Sequence, residues 1–307
     1  MLVLGGGAVL GEAWLRALLA GLEAETGWDL RECGGFVGTS AGSIVATVLA
    51  AGRRPEAARG VAEDWQRAAG AAESAAGAAP PDTAAGGSGL LGGVRRRAGV
   101  AALAVAAPLA PAAAAGLAPA GAAVRAAVLR RGRPGTRDIP QLRRALEQLD
   151  TAFDGRLRVA AVDLRTGRRV MFGAPGAPSA RVTDAVLASC AVPWVFRPVT
   201  IGGREYVDGG AWSAANLDAA PVSEGTEVLC LNPAASPRLA VDRLGAVRTF
   251  AGASAAAEAL VLRRRGARVR VVAPDAATVQ AIGPDLFDGR RRAAVEAAGY
   301  RQGRALA

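Results

Sequence analysis

Gly38-Thr39-Ser40-Ala41-Gly42 sets a serine among small neighbours in G-x-S-x-G spacing. Where an apolar strand enters such a turn and a helix leaves it, the serine hydroxyl is held out as a nucleophile for acyl transfer. The first amides of the helix and its dipole then face the point where an oxyanion forms. The same five residues also fit a small-residue turn with no reactivity. A nucleophilic serine needs a base, and the 307-residue chain has no histidine and only arginine among its 37 basic residues. Ser-His-Asp and Cys-His sets, histidine-ligated zinc, Schiff-base lysine and the P-loop lysine are therefore excluded. The base left to consider is a carboxylate.

Three Asp-Gly pairs occur, at Asp154, Asp208 and Asp288. Asp154 and Asp288 sit beside arginines and read as solvated turns. Asp208-Gly209-Gly210 closes a hairpin strand, and its two glycines allow close approach to another backbone. An aspartate with an ordinary pKa of ~3.9 is a feeble base toward serine, so Asp208 must be desolvated and hydrogen bonded to the hydroxyl to serve. A plain turn aspartate is the competing reading. The third element is Gly5-Gly6-Gly7-Ala8-Val9-Leu10-Gly11. A dinucleotide fingerprint would need G-x-G-x-x-G and a ribose-binding acid after the second strand, and both are missing. A loop of free amides beside the nucleophile is the alternative.

Elements that would position these residues follow from periodicity. Leu2 to Leu4 predicts a strand and Glu12 to Glu25 a helix, with Trp14, Leu15, Leu18, Leu19 and Leu22 at helical spacing. Gly34 to Gly38 predicts a second buried strand and Ala41 to Ala51 a second helix, so Ser40 falls at the junction. Short apolar strands alternating with helices predict an α/β fold with a mostly parallel sheet covered on both faces. Leu157 to Leu164 and Arg169 to Phe172 read as a strand pair, Arg181 to Ala191 as a helix, and Val199 to Ile201 with Glu205 to Val207 as a hairpin. Val228 to Leu231 and Val269 to Ala273 read as further strands, and Ala276 to Gln302 as largely one helix. Between them, residues 68–133 are rich in Ala, Gly and Pro and read as a low-complexity insertion or lid within a single domain spanning 1–307. Its uncharged run, Ala98 to Val124, is long enough to cross a membrane, but Pro108, Pro111 and Pro119 argue against a span.

The glycine loop after the first strand, G-T-S-A-G some thirty residues on and a distant Asp-Gly-Gly, in that order, resemble the patatin-like phospholipases. Ser189-Cys190-Ala191-Val192-Pro193 and Tyr206-Val207-Asp208-Gly209-Gly210 extend the resemblance. It covers about residues 1 to 66 and 155 to 300. It implies a three-layer α/β/α sandwich with a helical cap insertion, and a lipid acyl hydrolase working through a Ser-Asp dyad without cofactor or metal. Carried over by motif, Ser40 is the nucleophile and Asp208 the base. Gly5, Gly6 and Gly7 give the oxyanion-hole backbone, Gly38, Ala41 and Gly42 shape the elbow, and Gly209 and Gly210 form the dyad loop. Where many members carry Arg or Lys after the glycines, this chain has Ala8, Val9 and Leu10. A catalytically silent lipid- or acyl-binding protein on the same fold is the alternative.

Composition narrows the partners. The chain is 51% hydrophobic and 4% aromatic with a formal charge of +10. Its arginines are scattered in short clusters, at Arg95 to Arg97, Arg130 to Arg133, Arg263 to Arg265 and Arg290 to Arg292, without interleaved aromatics to stack bases. Nucleic acid is therefore not the expected partner. A lipid or ester substrate is expected, and the charge permits peripheral contact with an anionic membrane. Cys33, Cys190 and Cys230 are widely spaced and read as free thiols. The first residues lack the features of a secretory leader, which gives a cytoplasmic expectation.

Overall fold

In the computed structural model, which describes residues 1–57, 118–132, 134–235 and 243–307, the chain opens with β1 (Leu2–Leu4), α1 (Ala8–Thr26), β2 (Phe36–Thr39) and α2 (Ala41–Ala50). There follow α3 (Ala118–Arg131), α4 (Pro140–Glu147), β3 (Leu157–Asp163), β4 (Arg169–Phe172), α5 (Val182–Ser189), β5 (Val199–Ile201) and β6 (Arg204–Asp208). The chain closes with β7 (Glu227–Leu231), α6 (Arg243–Arg264), β8 (Arg268–Val272), α7 (Ala276–Ile282) and α8 (Arg292–Arg304). Strands β3, β2, β1, β7 and β8 lie side by side in parallel, and β4, β5 and β6 add antiparallel pairs at the β3 side.

Alternation along the strands sends side chains to two cores. Leu2, Leu4, Phe36, Leu157, Val159 and Ala161 pack with α1, α2 and α5 on one face. Val3, Val37, Val228 and Cys230 pack under Ala255, Ala259 and Leu262 of α6 on the other, and Val162 and Val207 pack under Leu129 of α3. Both faces of the central strands are covered, so β1 and β2 are buried at every residue, the burial expected of parallel strands in a three-layer α/β/α sandwich.

The register of β3 sets up the site. One edge of β3 carries β4 from Val159 to Val162. The other edge is shared: β2 occupies it up to Thr39 opposite Ala160, and β6 arrives from the opposite direction to place Asp208 opposite Ala161. The C-terminal ends of β2 and β6 therefore meet on consecutive residues of one strand.

Two expectations are revised, and a third falls largely outside the described residues. Ala276 to Gln302 is not largely one helix: Gly283, at φ 68° before Pro284, ends α7, and α8 starts at Arg292. The intervening turn has its own use, because the carbonyl of Leu286 accepts the Leu10 N–H in the first turn of α1 (3.0 Å). The first helix begins at Ala8, four residues before Glu12, directly off the glycine loop. Of the segment 68–133, residues 118–132 are described and carry α3; the rest of the proposed lid and Arg95 to Arg97 lie outside the described residues. No described helix is long and apolar enough to cross a membrane.

Helix α8 lies across α1 with almost no gap. A Cβ at Gly21 would strike the carbonyl of Tyr300, and one at Gly303 the carbonyl of Leu18. Trp14 donates its indole N–H to Gln302 Oε1 (2.8 Å) within this crossing. At its other end Glu12 and Arg16 of α1 form a buried ion cluster with Arg292 and Glu296 of α8, in which Arg292 bonds both Glu12 (2.6 Å) and Glu296 (2.9 Å). Two arginines face two carboxyls there, which offsets part of the cost of burying charge, and burial still pushes the Glu12 pKa up to about 7. Gly303→Ala should lower unfolding free energy by about 1–3 kcal/mol, the usual cost of overpacking, measured by urea denaturation. Unchanged stability would show that the helices are not held at this separation.

Candidate active site

Ser40 sits between β2 and α2 with φ 50° and ψ −121°, outside the regions that serine ordinarily occupies. Small neighbours make that turn possible. A Cβ at Gly42 would run into the carbonyl of Leu4, and one at Gly38 into the backbone of Ser43. The Ser40 carbonyl accepts the Ser43 N–H (2.8 Å) and hydroxyl (2.6 Å), and its N–H donates to Ser189 Oγ at the end of α5 (2.8 Å). The strained turn is thus tied from three directions, while the Ser40 side chain faces Asp208.

Asp208 is 2% exposed. Its N–H donates to the Ala191 carbonyl (2.9 Å), and its Oδ1 accepts the Gly210 N–H (2.7 Å). Gly209 lies flat on β3, where a Cβ would press on the Ala160 carbonyl. Burial pushes the Asp208 pKa from the ordinary carboxylate range up to about 7, against the pull of hydrogen bonds from the Gly210 amide and the Ser40 hydroxyl. Among the described residues no arginine contributes to that balance. The Cys190 thiol, at the residue that follows α5, faces the same carboxyl, and its own pKa is pushed far up by burial, so it is neutral at physiological pH. The carboxyl that would have to be desolvated to act as a base is buried, and the Ser40 hydroxyl faces it.

The glycine loop adjoins the dyad, and a Cβ at Gly6 would come 3.3 Å from Ser40 Cβ. Its amides, however, are not all available. Gly5 donates to Leu231 O (2.8 Å) and Gly6 to Ala214 O (2.8 Å), so the expectation that both furnish an oxyanion hole is corrected: their N–H groups hold the loop to β7 and to the segment after Asp208. Leu10 donates to Leu286. Among the described residues, the amides of Gly7, Ala8 and Val9 at the start of α1, and of Ala41 and Gly42 at the start of α2, are left without an acceptor. Ala8 has φ 52°, a conformation that favours glycine. Leu10, three residues past the glycines, is fully buried in the core.

Sequence reading assigned no role to several residues that hold this geometry. Asn216 is fully buried and hydrogen bonds Thr39, Gly209 and Ser213. Arg125 of α3, inside the segment read as a lid, is also fully buried. It donates to Ala211 O (2.9 Å) just past Asp208 and to Gly167 O (3.0 Å), with its guanidinium 4.3 Å from the Trp212 ring centroid. Burial and nearby Arg169 lower its pKa to about 10, which leaves it charged at neutral pH. Neither residue belongs to a short motif; the only signals are an asparagine where left-handed backbone is tolerated and an arginine inside an alanine-rich helix, apart from the pair at its end. Two cavities, of about 410 and 120 Å³, are lined by neither Ser40 nor Asp208. Among the described residues no group of three histidine, cysteine, aspartate or glutamate side chains is placed to hold a metal.

No curated protein sequence matches the chain. Among solved structures it is similar to the crystal structure of VipD from Legionella pneumophila, at 15% identity and a TM-score of 0.45, over 99% of this chain and 66% of that one. The chain thus spans just under two thirds of that neighbour. A likeness of that size carries no argument about chemistry. The family profile described as patatin-like phospholipase matches residues 2–221, which include the glycine loop, the Ser40 turn and the Asp208 loop, and the chain accordingly belongs to the patatin-like phospholipases, a family of lipid acyl hydrolases.

Proposed function

We propose that this protein hydrolyses carboxylic ester bonds of lipids with Ser40 as nucleophile and Asp208 as its base. The observation that carries the proposal is a buried carboxyl, with no cation beside it among the described residues, facing the hydroxyl of a serine on a strained strand-to-helix turn. Desolvation gives Asp208 a basicity matched to neutral pH, which an exposed aspartate lacks. Asp208 takes the Ser40 proton as Oγ bonds to the ester carbonyl carbon. The tetrahedral oxyanion is received by the glycine-loop amides still free to donate, Gly7 and its neighbour Ala8, in place of the full Gly5-Gly6-Gly7 set. Collapse breaks the ester C–O bond, and Asp208 returns the proton to the departing alcohol. Water then attacks the acyl-enzyme, its proton passing to Asp208 and back to Ser40 as the acid leaves.

The arginine clusters bear on how lipid would be met. Arg292 is buried in the α1–α8 ion cluster and Arg290 pairs with Asp288. Arg263 to Arg265 precede β8, at the N-terminal edge of the parallel strands, whereas Ser40 follows the C-terminal end of β2. That cluster cannot face a membrane together with the dyad. Peripheral contact would therefore rest on other arginines.

A second reading, a silent acyl-binding protein, is favoured by one observation: Ser40 is only 6% exposed. A fluorophosphonate probe separates the two, since labelling at Ser40 requires an activated serine; an unlabelled, folded protein would establish the silent reading. On p-nitrophenyl acyl esters, Ser40→Ala and Asp208→Asn should each lose at least about 10²-fold in kcat/KM. Equal turnover in wild type and both variants would sink the hydrolase assignment. The base must be ionised, so kcat/KM should rise with pH through an acid limb near the Asp208 value of about 7. A limb near pH 4 would mean that Asp208 is solvated in the working enzyme.

A further inference from the structure

Resting on the hydrolase reading above, we propose that Asn216 is a positioning residue that sets the separation of Ser40 and Asp208. Its carboxamide ties the residue before the nucleophile to the residue after the base. Nδ2 donates to Thr39 Oγ1 (3.0 Å), to the Gly209 carbonyl (3.3 Å) and to the Ser213 carbonyl (2.7 Å). Asn216 is the one side chain among the described residues that hydrogen bonds both Thr39 and Gly209.

The orientation of the amide is fixed by chemistry. Two of the three partners on the Nδ2 side are carbonyl oxygens, which only accept. The partner of Oδ1 is Arg169 Nη1 (3.3 Å), which only donates. Arg169 is held in turn by Asp218 through two contacts of 2.6 and 2.8 Å. From beneath, Glu258 of α6 accepts the Leu217 N–H (2.7 Å), and Ser213 Oγ accepts the Asn216 N–H (3.1 Å). The residue is thus braced on every side except the one facing the dyad, where it makes its two bridging bonds.

Its backbone is also committed. Asn216 lies at φ 52° and ψ 36°, left-handed helical values that asparagine and glycine adopt more readily than other residues. A buried asparagine in that conformation could serve the turn alone, and the two roles are separable. Asn216→Gly keeps the backbone permission and removes only the carboxamide. Thr39→Val keeps Asn216 and the shape of residue 39 but removes the hydroxyl that receives one arm of the bridge.

The experiment measures kcat, KM, the pH profile of kcat/KM and thermal stability for both variants, their double mutant and Thr39→Ser, on a short-chain p-nitrophenyl ester. Asn216→Gly should lower kcat about 10–100-fold, the scale of loss when reacting groups are misplaced by a fraction of an ångström to one ångström, with KM within about twofold. Its acid limb should move to higher pH, because the Ser40 hydrogen bond that lowers the Asp208 pKa is weakened. Among the described residues the groups facing Asp208 are the Ser40 hydroxyl, the Gly210 amide and the neutral Cys190 thiol, and none of these titrates to produce that shift. Thr39→Val should give part of the same loss, non-additive with Asn216→Gly, and Thr39→Ser should retain wild-type behaviour. A lower melting temperature with unchanged kcat and limb would assign Asn216 to the turn alone and overturn the proposal. Should Asn216→Gly fail to fold, wild-type kcat and limb in Thr39→Val would overturn it equally. A wild type with neither turnover nor fluorophosphonate labelling would overturn the hydrolase reading and this one together; an active wild type matched by both variants overturns this one alone.

Discussion

Two strand ends meeting on one edge of β3 determine where everything else must go. Parallel β2 reaches Ala160 and antiparallel β6 reaches Ala161 from the other side. Neither strand can continue without collision, so the chain must turn sharply at Ser40 and at Asp208. The turns are possible because Gly42 backs onto the Leu4 carbonyl and Gly209 onto Ala160. Once the register is set, serine and carboxylate are neighbours by geometry, although 168 positions separate their numbers (208 − 40). The remaining contacts, from Ser189, Asn216, Ala214 and Arg125, hold that convergence in place.

Burial then decides the chemistry. With no histidine in the chain, a general base has to be made from a carboxylate, and a carboxylate becomes basic when water and cations are kept away. The sequence is rich in arginine, yet those nearest the dyad loop are turned to other work. Arg125 donates to backbone carbonyls and stacks on Trp212, and Arg169 is paired with Asp218. An arginine bonded to Asp208 would stabilise its ionised form and undo the effect of burial. Among the described residues no arginine is paired with Asp208.

Much of this was legible in the sequence, for identifiable reasons. The Ser40 turn, the glycine loop and the hairpin ending in Asp208 are short-range patterns whose residue types have few uses, and apolar runs such as Leu2 to Leu4 and Val228 to Leu231 lie where the strands are. What could not be read depends on long-range register or on backbone acceptors. No spacing rule says that the Gly5 and Gly6 amides are engaged by Leu231 and Ala214, or that Leu10 caps onto Leu286. Helix α6 escaped periodicity because its Ala-rich sequence shows no sharp apolar stripe. Alanines on both sides of Gly283-Pro284 carry the helical pattern across the break in the sequence, whereas the positive φ at Gly283 stops the helix.

The central claim is that Ser40, activated by Asp208, carries the acyl group during turnover. The most direct measurement is an acid quench during reaction with a p-nitrophenyl ester, followed by peptide mass analysis. The account predicts an acyl mass increment on the peptide containing Ser40, formed fast in wild type and nearly absent in Asp208→Asn. Ester turnover with no adduct, or with the acyl group on any other residue, would contradict it.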